Sequence, residues 1–348
     1  MIYQIYPQSF QDSDGDGVGD LPGITQRLDH VQRLGADTVW LSPIYPSPRA
    51  DSGYDITDHA AVDPLYGTLA DFDELVRACH ERGLELILDL VLCHTSIEHP
   101  WFRDHPDWYV WAESGPPNNW ISAFGGSSWS RDPATGRWYL HSFFPEQPDL
   151  NWRNPQVEAA MHELMRFWLQ RNVDGFRLDA LTALVKDAAL RDDPPARSAF
   201  PLPLHPDRAA LALRYSRNSP DLLPVLSRLR EVAGEGLLLG EVGLPTAQLV
   251  RHLDHLDLAF AFETFHAPWD AAVLRRTIEA AVAVGGSGRL AWVLSNHDYS
   301  RRRVRRSSRH PQPNRRAPGS PQPCGCRKLD SMTVAGDLPT YGRSRGRR

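Results

Sequence analysis

The stretch QVEAAMHELMRFWLQRNVDGFRLDA, residues 156–180, sets an amphipathic helical segment (Gln156–Arg171) just before a short apolar run (Asp174–Leu178) that ends in Arg177 and Asp179. A helix feeding a strand that is apolar on both faces is the repeating unit of a parallel sheet. The pattern recurs on both sides. Further strand candidates are Ile2–Tyr6, Thr38–Leu41, Leu84–Val91, Leu237–Glu241, Leu258–Phe262 and Leu290–Leu294, and further helix candidates are Leu21–Leu34, Asp71–Arg82 and Ala271–Val284. Regular β–α alternation implies an α/β fold with right-handed crossovers, either a doubly wound sheet or a barrel. Seven strands suit neither count neatly, and the alternation alone leaves both open.

One stretch breaks the rhythm. Residues 94–151 are rich in Trp, Pro, Gly and Ser, and are too long for an ordinary loop, so a small inserted subdomain is expected after the third strand. Trp101, Trp108, Trp111, Trp120 and Trp129 are expected mainly as its core, with sugar stacking as the alternative.

Composition narrows the class. The chain has 348 residues, 41% hydrophobic and 23% charged, with eleven Trp and twelve Phe, which excludes a disordered polymer. No apolar run approaches the ~20 residues of a membrane span, and MIYQIYPQSF has no basic-then-apolar leader pattern. Four Cys are too few for a disulfide framework, so a cytoplasmic setting is expected. The net charge of −5 hides two unlike parts. Residues 301–348 carry thirteen Arg and one Lys against Asp330 and Asp337, while residues 1–300 hold 24 basic and 41 acidic residues.

Carboxylates mark two places. In Asp12-Ser13-Asp14-Gly15-Asp16-Gly17-Val18-Gly19-Asp20, Asp12, Asp14, Asp16 and Asp20, with the Val18 carbonyl, are spaced for a hard oxygen-binding ion such as Ca²⁺. An EF-hand would need an acid where Gly23 stands, and an entering helix. The second place is the set of strand ends: Asp89 and His94, then Arg177 and Asp179, then Glu241, then His297 and Asp298. In a barrel these groups gather at the C-terminal mouth. A single strand-end Asp is more ordinarily a helix cap; four successive acid- or His-bearing ends are not.

These four segments resemble, in order, the four signature regions of the α-amylase superfamily of retaining α-glycoside hydrolases. Tyr3-Gln4-Ile5-Tyr6-Pro7 and Trp40-Leu41-Ser42-Pro43 extend the resemblance, and Gln147-Pro148-Asp149-Leu150-Asn151 resembles the motif of the oligo-1,6-glucosidase and α-glucosidase branch. The resemblance implies a (β/α)8 TIM-type barrel and a retaining α-glucosidase acting on small α-glucosides. It implies Asp179 as nucleophile, Glu241 as general acid/base and Asp298 as the third carboxylate. It implies sugar binding by Asp51, Tyr54, His94, Phe143, Gln147, Arg177 and His297, a structural Ca²⁺ in the acidic loop, and no organic cofactor. Retention needs nucleophile and acid/base about 5–5.5 Å apart, with separated pKa values. Arg177, two residues before Asp179 on one strand face, is expected to favour the ionised nucleophile, whose charge then raises Glu241.

Departures qualify this. Cys93 stands where the family usually has Asn before His94, which disfavours a second calcium, and Ala180 after the nucleophile leans toward α-1,4 or mixed linkage. A transglycosylating relative, such as a trehalose synthase or a sucrose-cleaving enzyme, is the alternative activity.

The resemblance ends near Ser300. The expected layout is therefore barrel 1–93, insertion 94–151, barrel 152–300, and a basic low-complexity tail 301–348, with the barrel truncated after strand 7. The tail has six Pro and no strand or helical period, so it is expected to be disordered. The chain uses 36 Arg against Lys186 and Lys328 alone, as GC-rich coding DNA does, so an out-of-frame tail after about Arg301 is expected, and an inactive fragment is the non-enzymatic alternative. The tail lacks a nucleic-acid module, so neither nucleic acid nor membrane is expected as partner, and oligomeric state is not legible.

Overall fold

Gly175 shows how tightly the strands are set: a Cβ built on it would lie 2.1 Å from the Leu237 carbonyl oxygen of the neighbouring strand. The computed structural model describes residues 1–196, 206–293, 296–298 and 331–335, the last by backbone alone. Its strands are β1 (Ile2–Ile5), β2 (Thr38–Leu41), β3 (Glu85–Leu90), β4 (Trp111–Ala112), β5 (Trp129–Arg131), β6 (Trp138–Leu140), β7 (Gly175–Leu178), β8 (Leu237–Gly240), β9 (Leu258–Phe260), β10 (Leu290–Val293) and β11 (Ser331–Ala335). Eight of them close a barrel in the order β1-β11-β10-β9-β8-β7-β3-β2, which resolves the open choice in favour of the barrel. Seven run parallel, as the apolar runs implied. The position after β10 is filled by β11, antiparallel to both β10 and β1.

That strand corrects one expectation. Ser331–Ala335 lies in the tail that the sequence reading left without strands. Without it, β1 and β10 would present two unpaired edges, and pairing supplies what local composition did not advertise. The remaining tail residues, 301–330 and 336–348, lie outside the described residues, as do Leu294 and Ser295.

Alternation along each strand sorts the side chains. Ile2, Trp40, Ile87, Leu239, Leu258, Phe260, Ala291 and Val293 form one buried cluster, the barrel interior. Tyr3, Ile5, Val39, Leu41, Leu86, Leu88, Leu90, Phe176 and Leu178 belong to a second, larger one outside the strands. There the helix Pro155–Leu169, capped by the Asn154 side chain, buries Val157, Met161, Met165 and Trp168 along one stripe. Helix Leu69–Glu81 starts two residues before the expected Asp71 because Thr68 and Asp71 form a reciprocal capping box. Helix Leu222–Ala233, not among the sequence candidates, buries Leu222, Val225, Leu226 and Leu229.

Between β3 and β7 the chain forms a three-stranded antiparallel sheet, β4-β6-β5. Trp120 and Trp129 pack with Leu140 in its own small core, and Trp101, Trp108 and Trp111 lie partly buried against the main core. None of the five lines the large cavity described below. Among the described residues no helix is long and apolar enough to cross a membrane.

Gly175→Ala should destabilise the fold by about 1–3 kcal/mol, the usual cost of forcing extra volume into a packed site. A urea midpoint equal to wild type would show that β7 and β8 can part without cost.

Candidate active site

The strand ends converge because register makes them. Asp89 on β3 and Arg177 on β7 are direct partners in the parallel ladder, both pointing inward. Arg177 Nη1 bonds Asp89 Oδ1 at 2.8 Å and Asp179 Oδ1 at 2.5 Å, while its Nη2 lies 2.9 Å from Glu241 Oε2. One buried guanidinium thus ties the ends of β3, β7 and β8 together, and the Trp40 ring packs 5.1 Å from it. After Asp179 the chain turns sharply: Ala180 adopts the left-handed conformation (φ 45°), unusual without a glycine. The turn aims the Ala180 N–H at Glu241 Oε2, 2.9 Å away.

A second network reaches the same centre from β1 and the end of β10. The Gln4 amide lies 3.0 Å from His297 Nδ1, His297 Nε2 lies 2.7 Å from the Tyr54 hydroxyl, and that hydroxyl donates to Asp89 Oδ2 at 2.9 Å. These contacts fit a single His297 tautomer, protonated on Nε2 and accepting from Gln4 on Nδ1. Trp40 Nε1 also donates to Asp89 Oδ2, at 3.2 Å. Asp298 Oδ2 accepts from the Asn296 amide at 3.1 Å.

Charge is concentrated here. Burial lifts Asp89, Asp179 and Glu241 above the ordinary carboxylate range, Arg177 pulls each of them down, and mutual repulsion pushes them back up. Arg177 favours the ionised Asp179 as the sequence reading expected, but burial, which that reading did not weigh, raises the carboxyl on balance. The guanidinium is also shared with Asp89 and Glu241. Glu241 is raised as expected, with burial ahead of the Asp179 charge. His94, pushed down to about 4 by burial, is neutral at pH 7.

A cavity of about 750 Å³ opens over this centre. Asp51, Tyr54, His94, Phe143, Asp179, Glu241, His297 and Asp298 line it. Arg177 and Gln147 do not; they stand behind its wall. Gln147 donates to Asp51 Oδ2 at 2.9 Å and lies 2.9 Å from His94 Nε2. Sequence reasoning placed Asp89 among the strand-end acids without naming its partners, and gave no role to Gln4. A polar residue in an apolar strand was the available signal.

The acidic loop is ordered by its own side chains. Asp12 accepts backbone N–H bonds from Asp14, Gly15 and Gly17, and Asp20 caps helix Leu21–Arg33 through Gly23. Oxygens of Asp12, Asp14 and Asp20 lie within 4.8 Å of one another. Asp16 is outside that group, its carboxylate taken by the Val18 N–H at 2.7 Å. Cys93, His94 and Asp149 also cluster, but Lys186 Nζ already neutralises Asp149 at 2.8 Å.

The profile of the family described as Alpha amylase, catalytic domain, matches residues 4–315, running past the Ser300 limit of the motif-based resemblance. A probable alpha-glucosidase of Rhizobium meliloti is 44% identical, over 86% of this chain and 59% of its own length. An oligo-1,6-glucosidase of Parageobacillus thermoglucosidasius is 39% identical, over 86% and 58%. A solved structure of the alpha-glucosyl transfer enzyme XgtA superposes with a TM-score of 0.82 at 43% identity, covering 86% of this chain and 60% of that one. The chain thus spans about three fifths of the length of these relatives.

Asp179→Asn removes a negative charge beside Glu241 and frees Arg177 for it. Both changes favour the ionised form, so Glu241 should lose its proton at lower pH than in wild type. A carbon-13 NMR titration of the glutamate carboxyls reads this, and a midpoint that stays or rises would contradict the charge coupling.

Proposed function

The chain belongs to the α-amylase catalytic-domain family, and from that premise we propose that it is a retaining α-glucosidase acting at the non-reducing end of short α-linked glucosides. The observation that carries the reading is the shared guanidinium, with Arg177 binding both Asp179 and Glu241 at the floor of the cavity. Asp179 attacks the anomeric carbon and forms a glycosyl–enzyme ester, while Glu241 protonates the departing oxygen. Glu241 then takes a proton from water as that water opens the ester. A raised Glu241 suits this cycle, because a group that must give and regain a proton works best near neutral pH, whereas Asp179 attacks as the carboxylate, the form that Arg177 favours. Asp298 grips the sugar hydroxyls. Asp51, Tyr54, His94, Phe143 and His297 shape the glucose subsite, and Arg177 and Gln147 position their neighbours from behind.

A second reading, transfer of the glucosyl unit to a sugar instead of water, is supported by the likeness to XgtA. Product analysis with maltose and sucrose separates the two, since transfer yields new glucosides and hydrolysis yields free glucose. A reducing cytoplasm suits the buried free thiols of Cys79 and Cys93.

We further propose that Asp12, Asp14 and Asp20 hold a structural Ca²⁺, with Asp16 and the Val18 carbonyl close by in the same loop. The all-oxygen donor set and its clustering support this. The ion would hold the turn before helix Leu21–Arg33 and takes no part in the chemistry.

Two outcomes are expected. A chromogenic α-glucoside should be cleaved with retained anomeric configuration, Glu241→Gln should lower kcat about 10²–10⁴-fold, and Asp179→Ala should do so at least as strongly. Inversion, or Asp179→Ala turning over like wild type, sinks the mechanism. For the ion, Ca²⁺ at a hundred times its Kd should raise stability by about 2.7 kcal/mol, seen as a higher Tm that Asp14→Asn loses. A Tm indifferent to chelator removes the calcium proposal.

A further inference from the structure

β1 carries an amide into the apolar barrel interior. Gln4 is the register partner of Trp40, so both side chains point inward, and both are buried. The Gln4 amide nitrogen has two hydrogens to give and two neighbours at 3.0 Å to take them, Ser42 Oγ and His297 Nδ1. Ser42 is itself buried. An amide placed at this depth costs stability unless such bonds are made, and an apolar side chain would fill the space without that cost. Gln4 does not line the cavity; His297 does.

His297 is met from its other sides as well. Its Nε2 lies 2.7 Å from the Tyr54 hydroxyl and 3.5 Å from Asp298 Oδ1, its ring stacks on Tyr54, and the Trp40 ring meets it edge to face. The charged groups behind these rings are Asp89, which accepts from Tyr54, and Arg177, which packs against Trp40 and Tyr54. The Tyr54 hydrogen is committed to Asp89, so its oxygen accepts from His297 Nε2. At the other end an NH2 group can only donate, which makes Nδ1 the acceptor. A hydrogen moved to Nδ1 would collide with the amide hydrogen, and a bare Nε2 would turn its lone pair toward the Asp298 carboxylate.

We propose that Gln4 is a positioning residue for the reaction: it holds His297 in the neutral form whose one ring hydrogen sits on Nε2, so that the cavity wall presents an N–H donor, and not a lone pair, to the sugar. This rests on the glucosidase reading and adds to it a residue that acts through His297 without touching substrate. Ser42 takes the second amide hydrogen and so fixes the direction of the first.

Nitrogen-15 NMR of the histidine-labelled full chain tests this without requiring turnover, with the His297 signals identified by their loss in His297→Asn. At neutral pH wild-type His297 should be protonated on Nε2 alone. Gln4→Glu keeps the shape but turns an acceptor toward Nδ1, and should bring a hydrogen onto Nδ1. Gln4→Met removes the donor and adds no acceptor. On the chromogenic glucoside, kcat/KM should fall about tenfold in Gln4→Met, the worth of one hydrogen bond, and further in Gln4→Glu. Wild-type His297 carrying a hydrogen on Nδ1, a ring spectrum unchanged in Gln4→Glu, or wild-type kcat/KM in Gln4→Met overturns the proposal. Should a variant fail to fold, the wild-type spectrum alone decides the tautomer. Failure of the underlying glucosidase reading shows separately, as no cleavage of the chromogenic glucoside by a wild-type chain whose His297 is protonated on Nε2.

Discussion

A single buried cation, Arg177, governs this molecule's centre. Its guanidinium is almost wholly excluded from water, and it meets three carboxylates from three strands. A buried charge without partners costs several kcal/mol, and so would any of these acids left alone. The groups therefore solve one another's desolvation problem, and the barrel must hold β3, β7 and β8 in the register that lets them. One positive charge cannot satisfy three negative ones in a dry place, so protons stay bound to higher pH than they would in water. The acid–base property of the site is thus a consequence of charge imbalance, present before any sugar enters.

The Gln4–His297–Tyr54–Asp89 network extends that control to the opposite wall. The Gln4 amide nitrogen, both His297 ring nitrogens, the Tyr54 hydroxyl and both Asp89 oxygens each have a neighbour within hydrogen-bond reach, and the Tyr54 and His297 rings stack almost parallel, 5.4 Å apart. Side chains locked in this way keep their rotamers without help from ligand, which is what precise sugar recognition needs. The result is a site whose floor is rigid and charged.

Much of this was legible in the sequence. Apolar runs ending in charge gave seven barrel strands to within about two residues, because strands buried on both faces leave little compositional ambiguity. The residues of the four signature regions do meet: His94, Asp179, Glu241, His297 and Asp298 line one cavity. What escaped was set by three-dimensional neighbours. Ser331–Ala335 is a strand only because two edges flank it. Asp179 is raised because burial and sharing outweigh a favourable Arg177, a balance no spacing reveals. Asp16 turns to its own backbone while Asp12, Asp14 and Asp20 converge.

The left-handed turn at Ala180 has one more effect. By sending the Ala180 N–H to Glu241 Oε2, it gives that oxygen a second donor beside the Arg177 guanidinium. An oxygen that faces two N–H groups is a poor seat for a hydrogen of its own. When Glu241 is neutral, its acidic hydrogen must ride on Oε1. A single backbone dihedral thereby assigns the two oxygens of one carboxyl to different work, one anchored to the scaffold and the other handling the proton.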